Sequence, residues 1–125
     1  MQKQGLSKKE RLRLNRDFLR VFRTGKKIWI DKYLLVIYCP NKLSYRRLGI
    51  VVSKKIGKAT LRNKVKRMLR ELFRKNKEIF PEGIDIIMIA SPNLQFITYE
   101  KLLELVKDYL SKENKTANHA KNLLN

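Results

Sequence analysis

The residues whose types and spacing point most directly to chemistry lie in the segment LRNKVKRMLRELFR, positions 61–74. A helix turns by about 100° per residue, which places the apolar side chains of this segment on one arc and the basic ones on an adjacent arc. We call the second arc the basic stripe; it consists of Arg62, Asn63, Lys66, Arg67 and Arg70, with Arg74 on the same side. Like charges four residues apart destabilise a helix by roughly a few tenths of a kcal/mol per pair. Since only Glu71 interrupts the positive charge, the stripe favours a phosphate-binding surface, and a solvated helix face is the alternative.

Three further lysines precede this segment across Gly57, namely Lys54, Lys55 and Lys58. Backbone N–H groups at the start of a helix have no partner within the helix and attract phosphate oxygens. We therefore expect the three lysines and the basic stripe to form one continuous surface.

The charge of the whole chain indicates the same class of partner. The 125 residues contain 30 Lys and Arg against 11 Asp and Glu, a formal net charge of +19. Segments 1–27 and 46–77 together carry a net +20, and the rest of the chain carries −1. Charge needed only for solubility would be spread along the chain, whereas this distribution attracts a polyanion. A nucleic acid is favoured over an anionic membrane, because no segment combines basic residues with the exposed apolar face of an interfacial helix.

Size and composition favour a single cytoplasmic domain. A chain of this length with 43% hydrophobic residues can bury one core but not two. We expect the domain to span residues 1–110 and the polar segment 111–125 to be frayed or disordered. The only cysteine, Cys39, can form neither a disulfide within the chain nor a cysteine-based zinc site, and it is best explained as a small core residue. The longest apolar runs have the length of strands, so neither a signal peptide nor a membrane span is predicted.

The sequence shows no arrangement suited to catalysis. No nucleophile has an adjacent general base, and the single histidine, His119, lies in the polar C-terminal segment. The acidic residues lack the spacing of a metal site; they include Asp31, Glu71, Glu78, Glu82 and Asp85. We therefore expect no catalytic residue, no metal site and no bound cofactor in this chain.

Capping signals locate the first and last helices. Asn15 is a suitable N-cap for the first helix, and Gly25 is placed to end it. Ser7 with Glu10 forms an alternative capping box, which leaves open an earlier start or a separate leading turn. Thr98 is a suitable cap for the last helix.

Four strands and a long helix complete the order α-β-β-β-α-β-α. The strands are predicted at 27–30, 33–38, 47–52 and 84–90, with the helix at 59–75 between the third and the fourth. Short connections favour antiparallel pairing among the first three strands. This order predicts an α+β sandwich in which the helices pack on one sheet.

A long basic signature begins at position 47. It consists of Arg47-Leu48-Gly49, Ser53-Lys54-Lys55-Ile56-Gly57 and Ala59-x-x-Arg62-Asn63-Lys64-x-Lys66-Arg67-x-x-Arg70. The first helix adds Asp17-Phe18, Val21-Phe22 and Gly25. Over residues 11–109 the chain resembles the protein component of bacterial ribonuclease P. Lys64 departs from that family, which commonly has a second Arg in its Arg-Asn-Arg core. On a helical wheel Lys64 lies beyond Glu71, at the edge of the basic stripe. The substitution therefore affects only a bidentate contact that an arginine at this position would make.

The resemblance implies an accessory subunit of an RNA-based enzyme. Family members have helices on a four-stranded mixed sheet with a left-handed β-α-β crossover, a fold also seen in a ribosomal protein and in elongation factor G. General topology rules alone predict the common right-handed crossover. The family's catalyst is a large RNA that uses Mg²⁺, and its protein binds both this RNA and the 5′ leader of precursor tRNA, promoting endonucleolytic leader removal. The residues expected to bind the RNA subunit are Arg62, Asn63, Lys66, Arg67, Arg70, Lys54, Lys55 and Lys58.

Aromatic residues near the first helix are candidates for the leader site. On periodicity alone Phe18 and Phe22 are better explained as core residues. The family's leader cleft lies between its first helix and the sheet, and single-stranded bases stack on aromatic rings while cations follow the phosphates. The resemblance therefore implies a leader site formed by Phe18, Phe22, Tyr33 and Arg16. The sequence does not decide whether Trp29 caps a strand or contacts a ligand.

Two other functions remain open at this point. A ribosomal or RNA-assembly protein would share the fold and the charge, and co-purification with a large non-ribosomal RNA would argue against it. A metal-dependent nuclease is the enzymatic alternative, and RNA cleavage by the chain alone would favour it.

Overall fold

The computed structural model describes the backbone of residues 6–124 and the side chains of residues 6–112. Within these residues the elements are α1 Asn15–Thr24, β1 Lys26–Ile30, β2 Leu34–Pro40, β3 Arg47–Val52, α2 Ala59–Lys75, β4 Ile84–Ala90 and α3 Tyr99–Leu124. Short 3₁₀ turns lie at Lys8–Glu10, Lys54–Ile56, Lys77–Ile79 and Pro92–Phe96. The α+β class and the order α-β-β-β-α-β-α are as predicted.

The strands form one mixed sheet in the order β1-β2-β4-β3. β2 pairs antiparallel with both β1 and β4, whereas β3 pairs parallel with β4. The parallel pair is connected through α2, which makes it a β-α-β unit. The expected pairing of β2 with β3 is wrong, because β4 lies between them. Since β4 is buried along nearly its whole length, on both faces, it takes a central place in the sheet.

The outer edge of β3 is partly covered by the chain that precedes α1. The backbone N–H of Leu12 donates to the Leu48 carbonyl at 2.9 Å, and Arg11 forms a parallel bridge with Leu48. Pairing of this kind uses backbone groups that would otherwise be open to another strand.

The core is divided between the two faces of the sheet. Alternate residues of a strand point to opposite faces. In β2, Leu34 and Val36 join a large cluster with α2 and α3, while Ile37 and Cys39 join a smaller cluster beneath α1. Helix α1 therefore lies on one face, and α2 and α3 lie on the other. We call these the α1 face and the α2 face.

The starts of the helices follow some of the predicted caps and not others. Asn15 is the first residue of α1 and not its cap, since Leu14 precedes the helix in an extended conformation and its carbonyl accepts from two backbone N–H groups of the first turn. Ser7 and Glu10 instead cap a separate short turn, in which the Ser7 hydroxyl donates to the Glu10 carboxylate at 2.7 Å. The predicted Thr98 cap of α3 is present, with a backbone N–H donating to its hydroxyl at 3.2 Å.

Helix α3 is longer than the sequence predicts. Its backbone continues as helix to Leu124, through most of the segment 111–125 that was expected to be frayed or disordered. The predicted domain limit at residue 110 and the predicted frayed or disordered state of segment 111–125 both stay predictions, and position 125 lies outside the described residues. Although α3 has 26 residues, neither it nor another helix in the described chain is long and apolar enough to cross a membrane.

Candidate nucleic-acid interface

Helix α2 separates its apolar and basic side chains as predicted. Its buried side chains, which pack in the large cluster, are Val65, Leu69, Leu72 and Phe73. Burying an aliphatic or aromatic side chain of this size stabilises the fold by about 1.5–3 kcal/mol, so this packing fixes the rotation of the helix. On the remaining surface Asn63 and Arg67 are exposed, while Arg62, Lys66 and Arg70 are half-buried. The basic stripe is therefore held on a rigid helix and faces outward.

The basic stripe has no counter-charge among the side chains that the structure describes. Glu71 accepts a hydrogen bond from Arg74 at 2.7 Å and lies 3.2 Å from the Lys75 Nζ, and the Arg74 guanidinium lowers the pKa of the Glu71 carboxyl. Within residues 6–112, the four cations of the stripe itself form no ion pair. Repulsion among these four cations is not offset by any acidic side chain of residues 6–112, and a bound polyanion would relieve it.

The three lysines before α2 extend this surface. Lys54, Lys55 and Lys58 are all exposed. Lys54 and Lys55 lie in a turn that is anchored by the buried side chain of Ile56. Gly57 follows with a φ of +137°, a backbone conformation that residues with a side chain rarely adopt, and Lys58 then directly precedes α2. The structure thus brings the lysines to the start of α2, as the sequence predicted.

Lys64 lies at the edge of the basic stripe. It lines a groove between α2 and the start of α3, together with Glu71 and Tyr99, and Arg67 of the stripe lines the same groove. This placement agrees with its predicted position beyond Glu71 on the helix, so replacing the family's arginine here leaves the stripe intact.

A buried carboxylate joins α1 to the sheet. Asp85 of β4 is fully buried and accepts from Arg47 of β3 twice, at 2.8 Å from Nε and 2.7 Å from Nη2. Arg20 of α1 donates to the same carboxylate, and the Asn41 amide donates to it at 2.9 Å. Burial alone would raise the pKa of Asp85, but these donors, led by Arg47, hold it below its usual value. The carboxylate therefore stays charged and fixes the position of α1.

Sequence reasoning missed this role of Asp85, which it treated only as an acid outside any metal site. The available signal was a single acidic residue inside an otherwise apolar strand, since an unpaired charge cannot be buried without a large cost.

The predicted core position of Cys39 is confirmed; its thiol is free and buried, and it accepts from Arg20 at 3.0 Å.

Close contacts show that α1 crosses the strands. A Cβ added to Gly49 of β3 would lie 2.6 Å from the Phe18 ring, so the ring packs directly on the backbone there. At the other end of the helix, a Cβ on Gly25 would lie 2.7 Å from the Ile37 side chain of β2 and 2.4 Å from the Val21 carbonyl. Gly25 thus follows the last residue of α1, as predicted, and there is no room for a side chain at this position. Helix α1 runs from β3 across β4 toward β2.

The predicted leader residues are only partly brought together. Phe18 and Phe22 are half-buried against the smaller cluster, with ring centroids 6.5 Å apart and planes tilted by 34°. Tyr33 packs against the large cluster instead. Arg16 is exposed but lies about 160° around the helix from Phe18, so its side chain leaves α1 on the other side. The structure places neither Tyr33 nor Arg16 beside the ring pair.

Acidic and thiol side chains do not converge in the described chain. Among residues 6–112, no group of three or more His, Cys, Asp and Glu side chains is arranged to hold a metal ion. The most enclosed carboxylates are instead bound by cations of the chain, as Asp85 is by Arg47 and Glu10 is by Lys77.

Comparison with known proteins identifies one family. A family model described as ribonuclease P matches residues 6–114. The ribonuclease P protein component of Thermotoga maritima is 46% identical over 112 residues, which cover 83% of this chain and 95% of the relative. That of Petrotoga mobilis is 42% identical over 106 residues, covering 82% and 89%.

Solved structures of such proteins share the fold. The structure of the Thermotoga maritima RNase P protein superposes with a TM-score of 0.73 at 43% identity, over 82% of this chain and 96% of that one. The Staphylococcus aureus RNase P protein gives a TM-score of 0.73 at 35% identity, over 83% and 94%. The sheet order and helix placement described above are therefore those of a known architecture.

Proposed function

The chain belongs to the ribonuclease P protein family, the accessory subunits of an endoribonuclease that processes precursor tRNA, and we propose how its surfaces divide that work. The basic stripe of α2 and the lysines before it bind the RNA subunit. The α1 face binds the 5′ leader of the precursor. The observation that carries the first assignment is the row of cations on α2 that no acidic side chain of residues 6–112 neutralises.

Binding of the RNA subunit follows from the chemistry of the stripe. Lys66 and Arg70 lie one helical turn apart, a spacing at which both can contact successive phosphates of one RNA strand. Arginines of the stripe offer paired N–H donors that match phosphate oxygens, and the exposed Asn63 amide adds a neutral donor. Each contact displaces a condensed counterion from the RNA, which makes affinity depend on salt.

Leader binding follows from the ring pair of α1. Phe18 and Phe22 are held by the sheet on one side, and they retain partly exposed rings. A single-stranded leader has unpaired bases that stack on such rings, whereas mature tRNA has no leader to place there. The site therefore distinguishes substrate from product, and it favours precursor binding.

Catalysis in this proposal belongs to the RNA subunit, which supplies the Mg²⁺-dependent hydrolysis. The residues of this chain hold and orient the two RNAs: the stripe screens repulsion between the two polyanions, and the α1 face positions the leader. The contribution of the protein is then largest at low Mg²⁺, where the RNAs alone are poorly screened. Both RNAs and the protein would meet in the cytoplasm.

Reconstitution with the co-purifying RNA tests the assignment of the stripe. Replacing Lys66 and Arg70 by alanine together should weaken binding to that RNA and flatten the log–log salt dependence by roughly 0.7–0.9 per lost phosphate contact. A matched control replaces Lys101 and Lys107, two exposed lysines of α3, and changes the net charge equally. Equal affinity and equal salt slope for both double variants would show that the stripe is not the RNA-subunit site.

The two alternative functions have distinct readouts. Sequencing the RNA that co-purifies with the chain gives a large non-ribosomal RNA if the proposal holds and ribosomal RNA if the protein serves ribosome assembly. Highly purified, nuclease-treated protein should leave precursor tRNA intact without RNA, whereas specific cleavage would favour a protein nuclease.

A further inference from the structure

Beside α1 the sheet carries a row of apolar residues. The strand register aligns Trp29 of β1 with Leu35, then Ile89, then Val51 of β3. Leu35, Ile89 and Val51 are half-buried and pack against the smaller cluster on the α1 face. In β1 the neighbours of Trp29 in the chain belong to the large cluster, so by alternation Trp29 points to the α1 face as well.

This row runs alongside α1. The helix contacts β3 at Gly49, β4 at Asp85 and β2 at Ile37, and so lies across the strands just as the row does. The row lies two residues after Gly49 in β3 and two residues before Ile37 in the antiparallel β2, which displaces it by about 7 Å in one direction across the sheet. Strands are about 4.8 Å apart, which gives the row a length of about 14 Å.

The two flanks of α1 face different parts of the sheet. Arg20 is directed to the Asp85 carboxylate, on the side away from Trp29. Phe18 and Phe22 occupy the other flank of the helix and therefore stand beside the apolar row. The result is a groove with the two rings as its wall and Leu35, Ile89 and Val51 as its floor.

The ends of the groove differ in their surroundings. At the β3 end, Val51 is followed within a few residues by Lys54 and Lys55, which begin the surface assigned to the RNA subunit. Trp29 lies at the β1 end and is 58% exposed, although its side chain is the largest in the protein. Lys27 precedes it by two residues, is also exposed, and lies on the same face of the strand.

We propose that Trp29 and Lys27 form a nucleotide subsite at the β1 end of this groove, in which the indole stacks on a leader base and the ammonium group binds its phosphate. The inference rests on the proposed leader function of the α1 face. A leader that comes from the RNA-subunit side enters at β3, passes Phe18 and then Phe22, and reaches Trp29 last. The subsite therefore takes a nucleotide farther from the cleavage site than those at the phenylalanines.

A purely structural role explains Trp29 less well. Its cross-strand neighbour Leu35 would be covered by any large apolar residue, and the contact leaves more than half of the indole in water. A large exposed aromatic beside a lysine, at the open end of an apolar groove, combines the stacking surface and the cation that single-stranded nucleic acid requires.

The fluorescence of Trp29 tests the proposal directly, since it is the only tryptophan of the chain. In the complex of the full-length protein with its RNA subunit, precursors whose leaders are lengthened one nucleotide at a time should leave the emission unchanged at first. The emission should then be quenched once the leader reaches the subsite. Mature tRNA should cause no quenching. Emission that is identical with mature tRNA and with long-leader precursor would overturn the proposal.

Substitutions provide the second measurement. Trp29→Ala should weaken affinity for long-leader precursor by about fivefold or more and leave short-leader affinity unchanged, while Trp29→Phe should restore most of the loss. Phe96→Ala is the matched control, because Phe96 is 79% exposed but lies in the turn Pro92–Phe96, outside the groove. A Trp29→Ala loss that is the same for every leader length and accompanies a lower melting temperature would assign a structural role.

The same series separates this inference from the function on which it rests. Leader-dependent loss in Phe22→Ala with no effect of Trp29→Ala would reject the subsite and keep the leader site. Affinity that does not depend on leader length even in the unaltered complex would reject both.

Discussion

Replacing Asp85 by alanine removes the carboxylate that ties α1 to the sheet. The side chain of Asp85 is 0% exposed, while those of Arg47 and Arg20 are 19% and 35% exposed. Breaking a buried ion pair by removing one partner costs about 3–5 kcal/mol. The two arginines left behind can turn partly to water, so we expect the lower end for Asp85→Ala, about 3 kcal/mol. Arg47→Ala should cost at least as much, because it leaves the buried carboxylate with fewer donors.

Urea unfolding and thermal melting measure this loss of stability. About 3 kcal/mol corresponds to a fall in the melting temperature of roughly 10 °C for a domain of this size. Asp85→Asn, which keeps one acceptor and the shape of the side chain, should lose less. Glu82→Ala is the control, since it removes an exposed acid and changes the net charge by the same amount.

The functional readout of Asp85→Ala separates the two RNA surfaces. Because the carboxylate holds α1, its loss should weaken leader-dependent affinity for precursor. Binding of the RNA subunit through α2 should persist below the melting temperature. A variant that melts like the Glu82→Ala control would refute the assigned role of Asp85. Equal loss of affinity for precursor and for RNA subunit would show that α1 and α2 are not held independently.

Three shorter predictions concern single groups. Phe22→Ala should weaken affinity for long-leader precursor by up to roughly a hundredfold and leave mature tRNA binding unchanged; a leader-independent loss with a large drop in melting temperature would mark the ring as core. Glu71→Gln releases Arg74 and removes the acid beside the basic stripe, so RNA-subunit affinity measured at several salt concentrations should rise and its salt dependence should steepen. The folded pKa values of Asp85 and Glu10 lie below their usual values, so their contribution to stability is complete above about pH 5 and is lost as the pH falls through the folded pKa values. Urea midpoints measured from pH 6 to pH 3 should fall, and the fall should be smaller in Asp85→Asn.

The fold could be predicted from the sequence where local periodicity decides it. Helix α2 and strand β4 have the predicted bounds, because each has a pattern that repeats within its own length. The neighbours of a strand are not a local property. β4 lies between β2 and β3, where its apolar side chains are buried on both faces. The short connections between β1, β2 and β3 did not indicate that a later strand would separate β2 from β3.

The same distinction applies to the candidate site. The basic stripe was predictable because its residues lie in one helix and their spacing follows the helical repeat. The Asp85 site was not, since its arginine partners lie 38 and 65 residues away along the chain. Tyr33 and Arg16 were grouped with the rings by resemblance and by proximity in sequence, and the packing of Tyr33 and the rotation of α1 place them elsewhere. The position of Trp29 in a row across four strands requires the sheet register.

The two proposed RNA surfaces are joined by one short and stiff part of the chain. Gly49 lies beneath the Phe18 ring and Val51 lies in the groove floor, while the turn at Lys54 leads directly into α2. β3 is held by its pairing with β4, and α2 is held by its buried side chains against the same sheet. A leader bound in the groove is thus fixed relative to an RNA bound on the basic stripe, without a flexible linker between them. Since fixing two reactants relative to each other lowers the entropic part of a barrier, a protein that only positions two RNAs can raise the rate of a reaction that takes place in its RNA partner.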